Sequence, residues 1–593
     1  MSSLGVLEMA EMTRVQLFSE GGDTWLALAP EVTLLSGLIL LFIVPNIGDA
    51  KWRIPLTQVR IPVLFGGRRF AATSDPRLPA MLAIATLLLA LWQALISQGA
   101  DAKTWLLTSG SGAEANILLR VDAFSRIFEI MFYSALLLAA VASVDRLPAR
   151  RAAGSEIQQL IDNRRQVDFY LLLLMTAFGM SIVSMSMDLF VLFIGLEIAS
   201  LSIYVLVAFQ KESPEGAEGG VKYFIVGAVS SAIALYGISL LYLWNGNLQL
   251  MSNSVTGQIG LVERWAEMDS LIGLPLIAFC FVLVGFAFKV SAAPFHFAAP
   301  DAYSGASSTV AGILATASKA MGFIGLIRVL VMLAAPQDGS AVWMFGLGII
   351  AVVTMTWGNL AALSSSNPKR MLAYSSIAHA GYMLAALAAL GAWAWGAESD
   401  VISSTPTDAG QWILTALIFH LVVLVAFKLG AFLVLALLET EGEVSDTAPL
   451  AGLARRDPII AVSMFIFMLA LAGVPPLAGF MSKFLLIAGV VKMSAGDAFA
   501  AIAAGEGWSL GQMHWTFWLA AAVFLNSALS LFYYLRIGVI MFFEVPSEGR
   551  RKPLNKAWFL RLSIWACAIG TVVFGVWSDH LISLCYNAAL AVL

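Results

Sequence analysis

The 593-residue chain is 60% hydrophobic and 12% charged, with a mean hydropathy of +0.85 and a formal net charge of −4. These values exclude an ordinary soluble domain and are typical of a membrane protein that crosses the bilayer many times. The three cysteines form no CxxC pair, and the chain has neither a Walker A loop nor a GxGxxG turn between a strand and a helix. We therefore expect no metal centre, cluster, nucleotide or flavin in this chain.

Apolar runs of spanning length follow one another along the chain. We predict an all-α membrane protein with about fourteen transmembrane helices. The predicted helices lie at about 27–45, 78–97, 121–144, 167–187, 188–209, 220–244, 271–293, 304–333, 341–363, 371–390, 411–438, 458–491, 515–540 and 560–578.

Prolines interrupt the seventh and twelfth of these helices. The run at 458–491 is too long for one straight span and contains Gly473-Val474-Pro475-Pro476. Two prolines remove backbone donors and force a break. In the seventh helix, Pro294 frees backbone groups in the same way. A broken helix is tolerated only where it is packed in protein or lines a cavity, so we expect both breaks inside the bundle.

Basic and non-basic loops alternate, as the positive-inside rule requires. Lysine and arginine crowd the loops at 46–77 and 145–166 and recur at Lys369-Arg370, at Arg455-Arg456 and at 550–556, whereas 334–342 and 391–410 contain none. Assigning the basic loops to the cytoplasm places both termini on the periplasmic side. The loop at 294–303 is assigned to the cytoplasm by parity alone.

An internal echo indicates a repeat. Gly285-Phe286-Ala287-Phe288-Lys289 in the seventh helix resembles Gly479-Phe480-Met481-Ser482-Lys483 in the twelfth. If helices 4–8 and 9–13 are copies, an odd number of spans gives the copies opposite orientations. Two inverted five-helix repeats are an architecture found in transporters.

Five ionisable residues lie inside the apolar runs, namely Glu197, Lys289, Lys319, Lys428 and Lys483. Each buried charge costs about 2.5–3.5 kcal/mol on insertion scales, so a chain that buries several uses them for a purpose such as moving protons or ions. A structural ion pair is the alternative for Glu197, and snorkelling to the surface is the alternative for Lys289. Lys319 and Lys428 are too central to snorkel.

Weaker candidates lie beside these five. His379 titrates in the useful range, although a buried histidine that only makes a structural hydrogen bond is almost as common. His420 lies eight residues before Lys428, close to the same helical face. Lys222 and Arg328 lie near helix ends, where interfacial anchoring is the expected role.

Four stretches resemble the N subunit of NADH:quinone oxidoreductase, or respiratory complex I. They are 288–306, with Pro294-Phe295-His296 at a helix junction; 318–323, around Lys319; 369–383, which contains His379; and 473–484, which ends the Pro475-Pro476 break and contains Lys483. The resemblance runs from about 120 to 545. Lys428 departs from it, because a lysine there is more similar to the sister antiporter-like subunits.

The resemblance implies a role for each candidate residue. Glu197 and Lys289 would form the charge pair of a first half-channel, Lys319 would be the central relay, and Lys483 would carry protons near the outer exit, with His379 assisting. NADH, FMN, iron–sulfur clusters and quinone would be bound by partner subunits. The other membrane-arm subunits and the lipid bilayer would be the partners, and no nucleic acid is expected.

The working hypothesis is a proton-translocating subunit in a bacterial plasma membrane. Residues 1–120 would form two helices with a basic cytoplasmic loop, 121–545 the antiporter-like core, and 546–593 a loop and the last span. The alternatives are a cation/proton antiporter subunit, the membrane arm of a proton-pumping hydrogenase or related quinone reductase, and a purely structural role for the charges.

Overall fold

A computed structural model describes residues 26–44, 47–54, 60–64, 77–99, 103–109, 114–147, 156–210, 213–252, 258–267, 273–334, 340–390, 405–442, 444–495, 505, 514–546 and 552–592. The predicted periplasmic N-terminus and part of the basic loop at 46–77 lie outside these residues.

Helices account for most of the described residues. The long helices are α1 (Ala29–Ile43), α2 (Leu78–Ile96), α3 (Ala123–Arg146), α4 (Glu156–Met185), α5 (Leu189–Val207), α6 (Pro214–Asn245), α7 (Leu274–Val290), α8 (Ser308–Ile313, Leu314–Ser318 and Lys319–Ala334), α9 (Ser340–Ser364), α10 (Pro368–Ala389), α11 (Thr405–Leu424, Val425–Leu429 and Gly430–Glu439), α12 (Pro458–Ala472 and Ala478–Ala495), α13 (Phe517–Phe543), α14 (Trp558–Val576) and α15 (Asp579–Val592). Shorter helical segments are Ser97–Gly99, Leu261–Ala266, Ala298–Gly305 and Leu453–Arg456.

Each of the fourteen predicted runs coincides with one of α1–α14. In the described part of the chain, 11 helices are long and apolar enough to cross a membrane, and Ala29–Ile43, Leu274–Val290 and Pro458–Ala472 are shorter apolar helices. The protein is therefore a multi-pass helical membrane protein, as predicted, while the count of fourteen spans stays a prediction. α15 follows α14 and is not one of the fourteen predicted helices. It packs against α3 and α11, and Tyr586 on it donates a hydrogen bond to Gln411 (2.9 Å).

Two short β-hairpins lie in connections between the helices and leave the predicted helical membrane fold unchanged. Strand β1 (Ile47–Arg53) pairs antiparallel with β2 (Arg60–Leu64), with Trp52 opposite Ile61, and β3 (Lys103–Ser109) pairs antiparallel with β4 (Glu114–Val121). The sequence reading treated 46–77 and 98–120 as connections. The paired strands contain β-branched and aromatic residues such as Trp52, Ile61, Trp105 and Ile117, which favour extended pairing, and each strand is too short to form a spanning apolar run.

Both predicted helix breaks are present. α7 ends at Ser291, whose φ is 59°, and the chain resumes as a helix at Ala298–Gly305 beyond Pro294. The first half of α12 ends at Gly473, whose φ is 87°, and the second half begins beyond Pro475-Pro476. A left-handed residue ends each helix, and the prolines that follow cannot donate the backbone hydrogen bonds that would continue it.

Packing places α8, α10 and α11 at the centre of the bundle. Their apolar windows are 94–100% buried, against 28% for α2 and 33% for α14. α4 packs on α5 and α6 on α7, and correspondingly α9 packs on α10 and α11 on the second half of α12. This correspondence agrees with repeats at helices 4–8 and 9–13, although the repeats themselves stay a prediction.

Two ion pairs show on which side of the bundle the loop at 294–303 lies. Asp301 lies in the segment after the α7 break and pairs with Lys222 at the start of α6 (2.8 Å) and with Arg370 at the start of α10 (2.5 Å). The loop at 294–303 therefore lies on the same side as the two basic helix starts.

Candidate functional site

The four candidate lysines are enclosed by protein. Lys289, Lys319, Lys428 and Lys483 are each at most 5% exposed, and Glu197 is half-buried. An ammonium group held in the interior needs hydrogen-bond acceptors, because its hydration is lost. The acceptors of each lysine therefore show how the site is built.

Glu197 and Lys289 are close but are not joined by an ion pair. Ser231 on α6 donates a hydrogen bond to Glu197 (2.6 Å), while Lys289 at the end of α7 donates to the hydroxyls of Ser200 and Tyr204 (2.9 Å to Tyr204). Ser200 and Tyr204 lie one and two turns after Glu197 on α5. The implied charge pair is therefore separated by hydroxyl groups, and a direct contact requires one side chain to move.

A small cavity lies beside Glu197. It has about 20 Å³ of water-accessible space, and Leu192, Leu196, Ser231, Val282 and Phe286 are among its lining residues. This space is enough for one water molecule. Ser231 supplies the polar side chain among the described residues that line the cavity, whereas a held water needs about two to four polar partners, so the cavity is mainly apolar space.

Asp188 orders the helix that carries Glu197. Its carboxylate accepts backbone hydrogen bonds from Phe190 (2.9 Å) and Val191 (3.1 Å), and so caps the N-terminus of α5. Burial raises the pKa of the Asp188 carboxyl, while those two backbone donors lower it.

His296 lies in the segment that follows the end of α7. Burial lowers the pKa of its imidazole.

Lys319 and Lys428 lie at corresponding irregularities of α8 and α11. The π-helical turn Leu314–Ser318 directly precedes Lys319, and the π-helical turn Val425–Leu429 contains Lys428. Such turns often mark functional sites. Both lysines reach neighbouring residues of α10, because Lys319 donates to the Ser376 carbonyl (2.7 Å) and Lys428 donates to the Ser375 hydroxyl (3.1 Å).

A continuous chain of hydrogen bonds leads away from Lys428; we name it the Lys428–Ser482 chain. From Ser375 it passes to Tyr534 (2.5 Å), from there to His379 Nε2 (3.4 Å), from His379 Nδ1 to His420 Nε2 (3.1 Å), and from His420 Nδ1 to Ser482 (3.0 Å). The two imidazole rings are stacked, with centroids 5.2 Å apart. Every link joins groups that can both donate and accept a proton.

Lys483 is adjacent in sequence to the last residue of this chain, and its hydrogen bonds go to other groups. It follows Ser482 directly and donates hydrogen bonds to the Ser527 hydroxyl (2.9 Å) and to the carbonyl of Ala472 (3.2 Å), across the α12 break. Its ammonium group also lies 5.7 Å from the centre of the Tyr382 ring. The break therefore supplies a backbone acceptor that an intact helix would have kept for itself.

The structure brings together Lys319, His379, Lys428 and Lys483 around α10, and it keeps Glu197 and Lys289 as a second group between α5, α6 and α7. The sequence reading did not identify the hydroxyls that connect them, at Ser375, Ser482 and Tyr534. Serine and tyrosine are common in membrane helices, so no pattern marked these residues. Arg328 was assigned to interfacial anchoring, and that was wrong: it is 1% exposed and donates to the Ser184 carbonyl (2.5 Å).

A buried ionic junction was also missed. Glu439, at the end of α11, binds Arg146 at the end of α3 and Lys369 at the start of α10 (3.0 Å), and it accepts hydrogen bonds from the backbone (3.1 Å) and hydroxyl (2.6 Å) of Ser308 at the start of α8. It therefore ties together four helix ends. Among the described residues, no group of three or more His, Cys, Asp or Glu side chains is arranged to hold a metal.

Comparison with known proteins agrees with this arrangement. The family model described as NADH:quinone oxidoreductase/Mrp antiporter, transmembrane, matches residues 186–399 and 401–507, more than half of the chain. The chain belongs to this family. The predicted resemblance to complex I subunit N is thereby confirmed at the level of the antiporter family, and the following relatives agree with it.

Antiporter-family relatives extend over most of the chain. It is 33% identical to F(420)H(2) dehydrogenase subunit N of Methanosarcina mazei over 80% of this chain and 84% of that protein. It is 37% identical to NADH-quinone oxidoreductase subunit N 2 of Acidobacterium capsulatum, over 69% of this chain and 74% of that protein. The corresponding subunit N 2 of Sorangium cellulosum is 34% identical over 87% of this chain and 93% of its own length.

Solved structures of the antiporter family share the fold. A chain of respiratory complex I from Thermus thermophilus with bound Aureothin has a TM-score of 0.64 at 26% identity, covering 94% of this chain and 98% of that one. A chain of the Mrp complex from Dietzia sp. has a TM-score of 0.69 at 20% identity, covering 96% of this chain and 97% of that one. The second likeness establishes the fold alone.

Proposed function

We propose that this chain is the proton-translocating subunit N of an NADH:quinone oxidoreductase, where it couples electron transfer in partner subunits to proton pumping. The chain would act as one subunit of a translocase. The observation that carries the proposal is the Lys428–Ser482 chain, buried in the centre of the bundle and flanked by Lys319 and Lys483. The subunit N relatives from Acidobacterium capsulatum and Sorangium cellulosum support the choice of complex.

Proton transfer along the chain conserves protons at every link. Protonated Lys428 gives a proton to Ser375 while Ser375 passes its own to Tyr534, and Tyr534 protonates Nε2 of His379. His379 then releases the proton on Nδ1 to Nε2 of His420. Ser375, Tyr534 and His379 each gain one proton and lose one, so the positive charge moves from Lys428 to His420. The Ser482 hydroxyl already donates to the carbonyl of Gly479 (3.0 Å), so it takes up a proton from His420 only when an onward acceptor is present.

Several gaps in the route require water or movement, among them the steps from Lys289 to Lys319 and from Ser482 to Lys483, whose hydrogen bonds in the described residues go to other groups. Lys319 donates to a carbonyl, which accepts a hydrogen bond but cannot hand a proton on. Transfer from Lys319 to Lys428 therefore needs a water molecule or a change of rotamer. The same holds between Glu197 and Lys289, whose hydroxyl partners Ser200 and Tyr204 lie between them. Such gaps allow gating, because a proton leaks freely only through a path with no interruption.

The energy for pumping must come from partners. At about 100 mV each proton moved outwards costs about 2.3 kcal/mol from the membrane potential alone. A row of titratable side chains supplies a path and no driving force. We assign NADH, FMN, iron–sulfur clusters and quinone to the other subunits, and we place the complex in a bacterial plasma membrane with both termini of this chain on the periplasmic side. The core at 121–545 would carry the conduction.

One relative favours a second candidate for the electron donor. The Methanosarcina mazei relative is subunit N of an F(420)H(2) dehydrogenase, so the same membrane subunit could serve a complex with a different donor. Purifying the complex through this chain separates these cases. Co-purified flavin and iron–sulfur absorbance together with NADH oxidation supports the first, whereas redox centres that NADH does not reduce support the second.

The decisive test replaces Lys319. In inverted vesicles that contain the assembled complex, Lys319→Met should abolish most NADH-driven proton uptake, because methionine keeps the volume of the stem and removes the titratable group. Lys492→Met is the matched control, since Lys492 is an exposed lysine of α12. Undiminished proton uptake and quinone reduction in Lys319→Met would contradict the proposal.

A further inference from the structure

A second cluster of titratable groups lies outside the lysine route, where α1, α3 and α4 meet; we name it the α1–α3 cluster. Arg126 donates to Glu129 (2.5 Å) and to the carbonyl of Ala27, which precedes α1. Glu31 accepts hydrogen bonds from Tyr133 (3.1 Å) and from Ser181 (2.5 Å) on α4. Glu31, Arg126, Glu129, Tyr133 and Ser181 are all buried, and Glu129 is 0% exposed.

The cluster has more carboxylates than cations. Glu31 and Glu129 face one guanidinium, that of Arg126, and they repel each other electrostatically. Within the described residues, Oε2 of Glu31 and Oε1 of Glu129 have no hydrogen-bond donor. A buried carboxylate without donors is costly, and two such groups close together cannot both stay ionised in the interior.

The charges around the cluster do not supply the missing cation. Asp122, which caps α3, adds a further negative charge near Glu129, and Arg120 pairs with Asp122 (3.4 Å). Arg328 on α8 donates to the Ser184 carbonyl and to the sulfur of Met187, and its guanidinium lies over the Phe124 ring. These partners are outside the cluster, so Arg328 does not pair with its carboxylates.

We infer that Glu31 and Glu129 together bind one proton, which makes the α1–α3 cluster a proton site separate from the lysine route. One carboxyl is protonated and the other pairs with Arg126, so the group as a whole is neutral. The ligand is a proton rather than a metal ion, because Arg126 already brings a positive charge to the cluster by pairing with Glu129, and the side chains that contact Glu31 are one phenol and one serine hydroxyl.

The α1–α3 cluster is connected through α4 to the helix that carries Lys319. Glu31 and Arg126 lie in the first turns of α1 and α3, and Ser181 lies in the last two turns of α4, so the cluster is at the end of these helices opposite to the Glu439 junction. Ser184 is one turn beyond Ser181 and binds Arg328, which lies nine residues after Lys319 on α8. Occupancy of the site is therefore linked by direct contacts to the helix that carries the proposed relay.

Infrared spectroscopy of the purified complex tests the shared proton through the C=O stretch of a carboxylic acid. Spectra of the wild type are compared with those of Glu31→Gln, Glu129→Gln and the surface control Glu267→Gln. Each of the first two variants should lose the same single carboxylic-acid band, because glutamine replaces the protonated partner and the remaining glutamate ionises beside Arg126. Glu267→Gln should leave the band unchanged.

The spectra distinguish one proton shared by Glu31 and Glu129 from two independent acids. Two different bands, each lost in one variant, mean two independent acids and overturn the inference, as does a wild type with no band sensitive to either substitution. Both single variants should assemble, since each keeps one glutamate to balance Arg126 and replaces the other with a neutral amide; failure of both to assemble also overturns it. The double variant leaves Arg126 unpaired and should assemble less well than either single variant. No step of this test depends on proton pumping, so it is decided separately from the proposed function.

Discussion

At the scale of single residues, hydroxyl groups decide whether the buried lysines are connected. Lys428 has Ser375 as its side-chain acceptor, and Ser375 is the group that links it to Tyr534. A lysine in the interior without this link would still be held in place by packing, but it would have no route by which to release its proton towards the two histidines.

We predict that Ser375→Ala slows proton pumping without preventing assembly. Loss of this hydroxyl removes the side-chain acceptor of buried Lys428, which costs about 1–3 kcal/mol of stability, whereas loss of a positioned proton-transfer group costs about 10²-fold or more in rate. The measurement is NADH-driven proton uptake into inverted vesicles, normalised to quinone reduction. Ser239→Ala, at an exposed serine of α6, is the matched control.

A double substitution tests whether the links act as one chain. Tyr534→Phe removes the next hydroxyl and should give the same loss as Ser375→Ala. The double variant should be no worse than either single variant, because a chain cut once is already cut. Losses that multiply in the double variant would mean that the two hydroxyls serve separate routes.

The residues that could be predicted from the sequence are those whose presence is costly. Lys319 and Lys428 interrupt apolar runs, and a charge in such a run has few explanations. Ser375, Ser482 and Tyr534 have no such signature, since hydroxyl groups are common in membrane helices and a serine can satisfy its own hydroxyl by binding a carbonyl one turn earlier. Their importance depends on which helix faces which, and this emerges only from the packing of α10, α11, α12 and α13.

At the scale of elements, the α12 break fixes the position of Lys483. Gly473 ends the first half of the helix with a φ of 87°, and a Cβ built there would lie 3.1 Å from Cδ of Lys483 and 3.6 Å from its Nζ. Lys483 in turn donates to the carbonyl of Ala472. The shape of the break and the position of the ammonium group are therefore coupled.

We predict that Gly473→Ala impairs pumping more than its strain alone explains. A left-handed alanine costs about 1–2 kcal/mol wherever it stands. Gly246, at the end of α6, has a φ of 81° and open space around its Cβ position, so Gly246→Ala carries the strain without the contact. Both variants should lower the melting temperature of the complex by similar amounts, while only Gly473→Ala should reduce proton uptake. Equal effects on proton uptake would show that the Lys483 contact is irrelevant.

Elements were predictable where a single physical requirement fixes them. Spanning length fixed the runs that became α1–α14, and prolines fixed the breaks at 294 and 475–476. The hairpin β3–β4 lies between two spans, and the length of an apolar run predicts spanning helices but not paired strands. The π-helical turns at 314–318 and 425–429 were missed as well, because an extra residue in a helix leaves no mark on its composition.

At the scale of the whole molecule, the helices that carry Lys319, Lys428 and their acceptors are tied together at one end. α8 carries Lys319, α11 carries Lys428 and α10 carries both of their acceptors, and the Glu439 junction ties the ends of these three helices to α3. Glu439 lies directly after the predicted run at 411–438, where nothing in the neighbouring sequence indicates a buried partner. The cations that pair with Glu439 are Arg146 on α3 and Lys369 on α10, and both are far from it in sequence.

We predict that Glu439→Gln destabilises the subunit strongly. The amide cannot balance the charges of Arg146 and Lys369, and breaking a buried pair in this way costs about 3–5 kcal/mol. The measurements are the melting temperature of the solubilised complex and the amount of this subunit retained in it. Glu218→Gln, which removes an exposed pair with Lys222, should cost at most about 1 kcal/mol. Adding Lys369→Met to Glu439→Gln should restore part of the loss, because one of the two stranded cations is removed. A Glu439→Gln variant as stable as Glu218→Gln would show that the junction does not hold the frame together.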